Sequence, residues 1–329
     1  MMKHANVSKT DKFYPLIGDT AIVLKNRSEN KYYFWDHIEE AVSGKNYDIK
    51  FGSRGSDTRY FMLSPQAFKQ FAEHVPHSID RSPLFNRFFG RVSPESIGSL
   101  RATEAWKKRR SAATSTIGLN YASRYIPKMI ESMTSLIDKW KEGEWMNLNK
   151  EISDMTFDII CSILFGMDIN DKIETCNHLS LDGTITQMKF AEFFPRIIED
   201  IMQSVQLPLG LMFPFLIDYD LIEPFKTIQK NAVECRRVVN NFLETSSDKQ
   251  SVFRKLVDEH GISEDEALQD IIALLFAGHD TTSHGIVSAL YFLKKNPEVY
   301  QKLISELTKL GLSKDSDFGS NDTKHLIHN

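Results

Sequence analysis

From Ser263 to Asn296 the chain contains no proline, and its start is strongly marked. Ser263-Glu264-Asp265-Glu266 has the form of a capping box, with Ser at the cap, Glu three residues later and acids at the positive end of a helix. The spacing predicts one helix over Glu264–Lys295, ~48 Å long at 1.5 Å per residue. Its middle, Ile271 to Gly278, is apolar all round, which predicts a helix buried through the core of a large domain. A chain holding such an element must build the rest of its fold around it.

That helix carries a conflict. Gly278-His279-Asp280-Thr281-Thr282 interrupts its most apolar part. Gly inside a helix costs roughly 1 kcal/mol against Ala. A buried, unpaired carboxylate costs several kcal/mol. Adjacent threonines can bond back to carbonyls one turn earlier and bend the helix. Local conflicts of this kind mark functional sites. The competing reading is a satisfied polar patch where two helices cross.

The remaining pattern is mainly helical. Tyr32–Ser43 reads as a short helix ended by Gly44. Strand-like runs 47–51 and 59–63 flank the turn residues 52–57, which predicts a hairpin. Ser64-Pro65 starts another helix, with Phe68, Phe71 and Ala72 as its apolar face. After Thr103 no further strand is expected. Ile126, Ile130, Met133, Ile137 and Trp140 form one helical stripe, and Leu148, Ile152, Met155, Ile159 and Ile163 a second. Phe225, Ile228, Ala232, Cys235, Val239 and Phe242 form a third. Asn296-Pro297 opens a last helix with Val299, Leu303, Leu307 and Leu310 inward and Gly311 closing it. No repeat or low-complexity linker breaks residues 32–310, so the expected fold class is mainly α with a small β corner, in one large domain.

Composition narrows the function. The formal net charge of −4 over 329 residues gives no sign of a nucleic-acid binder. Three cysteines, Cys161, Cys176 and Cys235, are too few and too scattered for a disulfide framework or a metal cluster, so no metal ligand is assigned and a reducing compartment is the default. Cys161 and Cys235 fall on apolar helix stripes and read as small core residues. Residues 1–12 are polar, without the apolar core of a signal peptide. The longest apolar run, Leu207–Ile217, holds two prolines and eleven residues, well short of the ~20 that span a bilayer.

Phe276-Ala277-Gly278-His279-Asp280-Thr281-Thr282 resembles the oxygen-binding helix of the cytochromes P450. Asn296-Pro297-Glu298 follows where that family turns into its next helix. Upstream, Trp106-Lys107-Lys108-Arg109-Arg110 matches the family's Trp-x-x-x-Arg motif, and Phe157-Asp158-Ile159-Ile160 through Phe165-Gly166 is similar to the helix after it. Tyr14-Pro15-Leu16-Ile17-Gly18 resembles the short Pro-rich opening of the catalytic domain. The likeness runs in order from about residue 13 to 310.

The resemblance implies a cytochrome P450-like fold and a monooxygenase that inserts one atom of O2 into an apolar substrate, with haem b as cofactor. It implies Trp106 and Arg110 at the haem propionates, where a guanidinium suits a carboxylate. Arg109 and Lys108 read instead as a solvated basic face or a docking surface for an acidic electron donor. Ala277 and Gly278 would leave a side-chain-free groove for oxygen. Asp280 and Thr281 would be the acid–alcohol pair that delivers protons for O–O cleavage. His279 reads as a residue that supports the ligand-facing groups or as a packing residue, not as a ligand. Leu211, Phe213 and Phe215 lie in a stretch that forms the family's lid over the substrate channel, or in an ordinary core loop. Implied partners are NADPH–cytochrome P450 reductase or another electron donor, an apolar small molecule and a membrane surface, with no nucleic acid. The implied location is the endoplasmic reticulum membrane surface or the cytoplasm.

One requirement is missing. The family holds its haem iron with a Cys thiolate in a glycine-flanked loop well after the central helix, and this chain has no cysteine after Cys235. Nor does it have a Glu-x-x-Arg after residue 310. Glu234-Cys235-Arg236-Arg237 spells that pattern upstream of the central helix, where it reads as chance. The expected organisation is a polar segment 1–12, a partial cytochrome P450 domain 13–310 truncated before the Glu-x-x-Arg helix and the Cys loop, and a polar tail 311–329. The alternative is a non-catalytic helical scaffold or a non-functional fragment derived from the family.

Overall fold

A computed structural model of the chain describes residues 7–9, 48–54, 57–75, 78–80, 83–118, 121, 123–167, 175–204, 207, 209, 210, 213, 215–246 and 248–312. The helix expected over Tyr32–Ser43, the opening Tyr14–Gly18 and the tail beyond 312 lie outside the described residues. The backbone groups into two compact units, residues 1–91 with 199–230, and residues 92–198 with 231–329.

In the first unit, strands β1 (Val7–Lys9), β2 (Ile49–Arg54) and β3 (Asp57–Met62) form one sheet, with β1 parallel and β3 antiparallel to β2. The hairpin is tighter than the turn residues suggested, because Gly52, Ser53 and Arg54 stay in the ladder opposite Arg59, Thr58 and Asp57. Helix α1 (Pro65–His74) starts at Ser64, whose hydroxyl accepts from the Ala67 N–H at 3.1 Å. Its buried residue is Ala67, not the expected Phe68, which is 61% exposed. Helix α2 (Pro83–Phe88) follows, then a 3₁₀ turn, Phe89–Arg91. Arg91 is anchored by Asp220 and by the Ile217 carbonyl, and its guanidinium lies 5.3 Å over the Phe225 ring.

The second unit contains helices α3 (Glu104–Ile117), α4 (Ile126–Ile137) and α5 (Leu148–Phe165), the latter closed by Gly166 at φ 69°. A second hairpin follows, β4 (Thr175–Leu179) with β5 (Ile185–Lys189), Cys176 opposite Met188. This corrects the expectation of no strand after Thr103. The segment is polar, and only Cys176 and His178 alternate inward, so its period-two signal is weak. Helix α6 (Phe190–Ser204) and helix α8 (Phe225–Thr245) each hold residues of both units, and the single turn α7 (Phe215–Asp218) between them in sequence belongs to the first. Then come α9 (Val252–Arg254), a π turn (Lys255–Glu259), α10 (Glu264–Lys295) and α11 (Pro297–Lys309).

Aromatic rings build this unit's core: Phe157 packs on Phe190 and Phe194, and Phe242 on Phe165 and Phe190. The α8 stripe from Phe225 to Phe242 is buried throughout, as its spacing predicts. The α4 stripe is turned, and the α11 stripe is left uncovered. On α4 the buried residue is Leu136, packed with Ile152 and Met155, while Met133 and Ile137 are exposed. On α11 none of the expected inward residues is buried, and Val299 and Leu310 are exposed. Leu310 and Gly311, at φ 74°, end that helix. No helix of the described residues is long and apolar enough to cross a membrane.

Candidate functional site

Helix α10 begins and ends where its caps place it. The Ser263 hydroxyl accepts from the Glu266 N–H, and the Glu266 carboxylate accepts from the Ser263 N–H, each at 3.3 Å. One side of the helix is set against α5. Ile271, Leu275, His279 and Ser283, four apart, form its buried ladder. His279 Nε2 lies 2.8 Å from Ser153 Oγ, and its ring meets Phe157 edge-on at 5.1 Å. His279 is thus a packing residue with a satisfied nitrogen. Burial pulls its imidazole below the ordinary histidine value.

Gly278 belongs to the same contact. A side chain there would put its Cβ 2.8 Å from Ile160 Cδ1 and 2.9 Å from Ile160 Cγ1. The space expected as an oxygen groove at Gly278 is taken by Ile160, because α5 approaches α10 as closely as a bare backbone allows. Nor is α10 buried all round. Ala277, Thr281, Thr282, His284 and Gly285 are exposed, and the middle of the helix is covered on one side only.

The uncovered side has a definite geometry. At 3.6 residues per turn, positions seven and eleven apart fall within about 20° of one line along a helix. Asp270, Ala277 and Thr281 therefore share one stripe. Its first member is fully buried and its last two are exposed. The Thr281 hydroxyl donates to the Ala277 carbonyl at 2.6 Å, the back-bond its residue type suggested. Its lone pairs remain able to accept a hydrogen bond from outside the helix. Asp280 is half-exposed rather than buried. Its carboxylate Oδ1 lies 3.5 Å from Nδ1 of His284, which also contacts the Asp280 carbonyl at 2.8 Å. His284 was not legible as a site residue, although its spacing four after Asp280 is the signal that would have found it.

Helix α3 covers the buried end of this stripe. Thr103 caps it, and Trp106 and Arg110 share a face at four-residue spacing. Trp106 is half-buried, and its indole N–H donates to the Ile97 carbonyl at 3.0 Å. Arg110 is exposed. Arg109 corrects the sequence reading. It is no solvated cation but is 3% exposed, with Nε on Asp270 Oδ2 at 2.9 Å and Nη2 on Asp270 Oδ1 at 2.6 Å. Nη2 also donates to the Glu266 carbonyl at 2.8 Å, and the Ile97 N–H donates to Asp270 Oδ1 at 2.7 Å. Burial pushes the Asp270 carboxyl above its ordinary range, and the Arg109 fork opposes that rise. Lys108 is exposed and donates to the Gly261 carbonyl. The Glu234–Arg237 pattern is an ordinary ion pair at i,i+3, at 2.8 Å.

The cysteines do not fit an iron ligand. Cys161, Cys176 and Cys235 are each fully buried in regular structure. Burial pushes the Cys235 thiol far up, whereas metal ligation needs the thiolate. Among the described residues no group of three His, Cys, Asp or Glu is placed to hold a metal ion. Of the lid residues, Leu211 lies outside the described residues. Phe213 and Phe215 are exposed, with their rings edge-to-face 6.2 Å apart.

A mainly α chain, threaded by one long helix with a small-residue, Thr-bearing stripe exposed at its middle, defines a class of helical domain. The family model for cytochrome P450 matches residues 28–326, and the chain belongs to that family. It is 26% identical to the probable cytochrome P450 4e1 of Drosophila melanogaster over 95% of this chain and 61% of that protein. It is 20% identical to cytochrome P450 94A1 of Vicia sativa over 92% of this chain and 59% of that protein. Against human cytochrome P450 4Z1 the identity is 24%, over 62% of this chain and 43% of the relative. The chain thus spans about three fifths of the length of the first two relatives.

Proposed function

We propose that this chain supplies the oxygen-side half of a P450-type monooxygenase site acting on an apolar substrate. The observation that carries the reading is the stripe Asp270–Ala277–Thr281, covered by α3 at one end and open at the small residues of the other. Haem, when bound to a protein of this family, supplies the O2 chemistry. Ala277 would lie against its face, and exposed Arg110 would hold its carboxylates, while Trp106, whose N–H is taken by the Ile97 carbonyl, would pack beside it. Gly278 would act indirectly, by setting how closely α10 sits on α5.

Two groups suit proton handling on the open side. The Thr281 hydroxyl is held by the Ala277 carbonyl and keeps its oxygen available as an acceptor. The half-exposed Asp280 carboxylate, next to His284, can exchange protons with solvent. Phe213 and Phe215 would form part of an apolar lid. This reading requires an electron donor, NADPH–cytochrome P450 reductase or another, and is compatible with contact at a membrane surface. No step is assigned to a thiolate, since no cysteine here fits one.

Haem titration of the purified 329-residue chain tests the reading. The expected result is a saturable Soret shift that weakens at least tenfold in Arg110→Glu, and no thiolate-type band after reduction and addition of CO. Haem that binds no more tightly than to an unrelated helical protein would overturn it. A haem-free chain that melts cooperatively, with a partner-binding role, would then be the better account.

A further inference from the structure

The Arg109–Asp270 pair lies at the covered end of the stripe, away from exposed Ala277 and Thr281. It is buried on both sides, with Arg109 3% and Asp270 0% exposed. Its hydrogen bonds join α3, and the turn before α3, to α10. Arg109 reaches Asp270 through both Nε and Nη2, and the Glu266 carbonyl one turn earlier. Asp270 also accepts from the Ile97 N–H. The Ile97 carbonyl in turn accepts from the Trp106 indole. One residue, Ile97, therefore links the buried carboxylate to the tryptophan of the Trp-x-x-x-Arg motif through the two ends of its own backbone.

The position of this pair along α10 matters as much as its burial. Asp270 lies two turns before Ala277, ~10 Å along the axis, and on the same stripe. Arg109 immediately precedes Arg110. A planar guanidinium fork on a carboxylate fixes orientation as well as distance, which a lysine in its place would not. A buried apolar contact could hold α3 against α10, but it would leave the two helices free to slide or roll by a fraction of a turn. The fork, the Glu266 carbonyl and the Ile97 bridge together remove that freedom.

We propose that Arg109 and Asp270 are positioning residues, whose buried fork locks the helix bearing Trp106 and Arg110 to the stripe that surfaces at Ala277 and Thr281. The two sets of ligand-facing side chains then keep one frame. This rests on the reading of those four residues as haem-facing given above. Neither Arg109 nor Asp270 touches the ligand itself. Both act through the placement of Trp106 and Arg110.

The test uses the full chain with Trp35, Trp140 and Trp145 changed to Phe, so that Trp106 is the sole indole reporter. Asp270→Asn and Arg109→Lys are compared with Ser263→Ala, which weakens the same helix at its cap and leaves the side chains of Arg109 and Asp270 in place. The expected result is that both fork variants shift Trp106 emission to longer wavelength, raise its quenching by acrylamide and weaken haem binding at least tenfold. Ser263→Ala should lower the melting temperature and leave Trp106 emission and haem affinity as they were. If Asp270→Asn does not fold, Arg109→Lys keeps the charge while losing the fork, and is read in the same way. Fork variants that melt earlier but keep Trp106 emission and haem affinity would overturn the proposal. If no variant, nor the parent chain, binds haem, the functional reading fails, and the Trp106 emission still decides whether the fork positions that side chain.

Discussion

Ile160 occupies the space that a side chain on Gly278 would need, its Cδ1 2.8 Å from the position of the absent Cβ. Two helices that carry the chain's central contact thus meet at a bare backbone. Gly278→Val should destabilise the chain by about 1–3 kcal/mol, because both Ile160 and the new side chain must leave their preferred rotamers. Ile160→Ala in the same chain should recover much of that loss, since it opens the space again. A double-mutant cycle by urea unfolding measures the coupling. Independent, additive effects would show that the close approach does not govern this contact.

His279 makes stability depend on pH. Burial between Ser153 and Phe157 holds its imidazole below 6.5 in the folded chain. Below pH 6.5 the unfolded chain therefore binds a proton that the folded chain resists. Stability contributed by neutral His279 is complete above that pH and falls as the pH drops through it. The urea midpoint should be lower at about pH 5.5 than at about pH 7.5, and His279→Gln should flatten the difference. An unchanged pH dependence in that variant would place the titrating group elsewhere.

The three thiols should be silent in the folded state. Cys161, Cys176 and Cys235 are fully buried, and burial raises the Cys235 thiol above the range in which it ionises. Ellman's reagent should report no reactive thiol in the native chain and three after denaturation. Prompt reaction of any one of them in the native chain would reopen the question of a thiolate ligand.

The cap of α10 carries its own cost. Ser263→Ala removes the acceptor for the Glu266 N–H and one arm of the reciprocal pair. A loss of about 1 kcal/mol is expected, read as a lower melting temperature with haem affinity unchanged.

Much of this fold was legible in the sequence. A Ser–Glu capping box and the absence of proline define α10 to the residue at both ends, because caps and breakers act within one turn of themselves. The six apolar positions of α8, spaced at three and four, are buried as written. The ordered motifs placed the chain in its family. Other features were decided by partners distant in sequence. Arg109 and Arg110 are adjacent cations, and the Asp270 carboxylate, 161 residues away, pairs the buried first while the second stays exposed. Gly278 gives the same signal whether it leaves a groove or admits a neighbour, and the approach of Ile160 selects the second. The rotation of the α4 stripe, the uncovered α11 stripe and the weak β4–β5 hairpin belong to the same group. A sequence period states which residues can share a face. Which face is buried, and which charge is paired, depends on what another part of the chain brings against it.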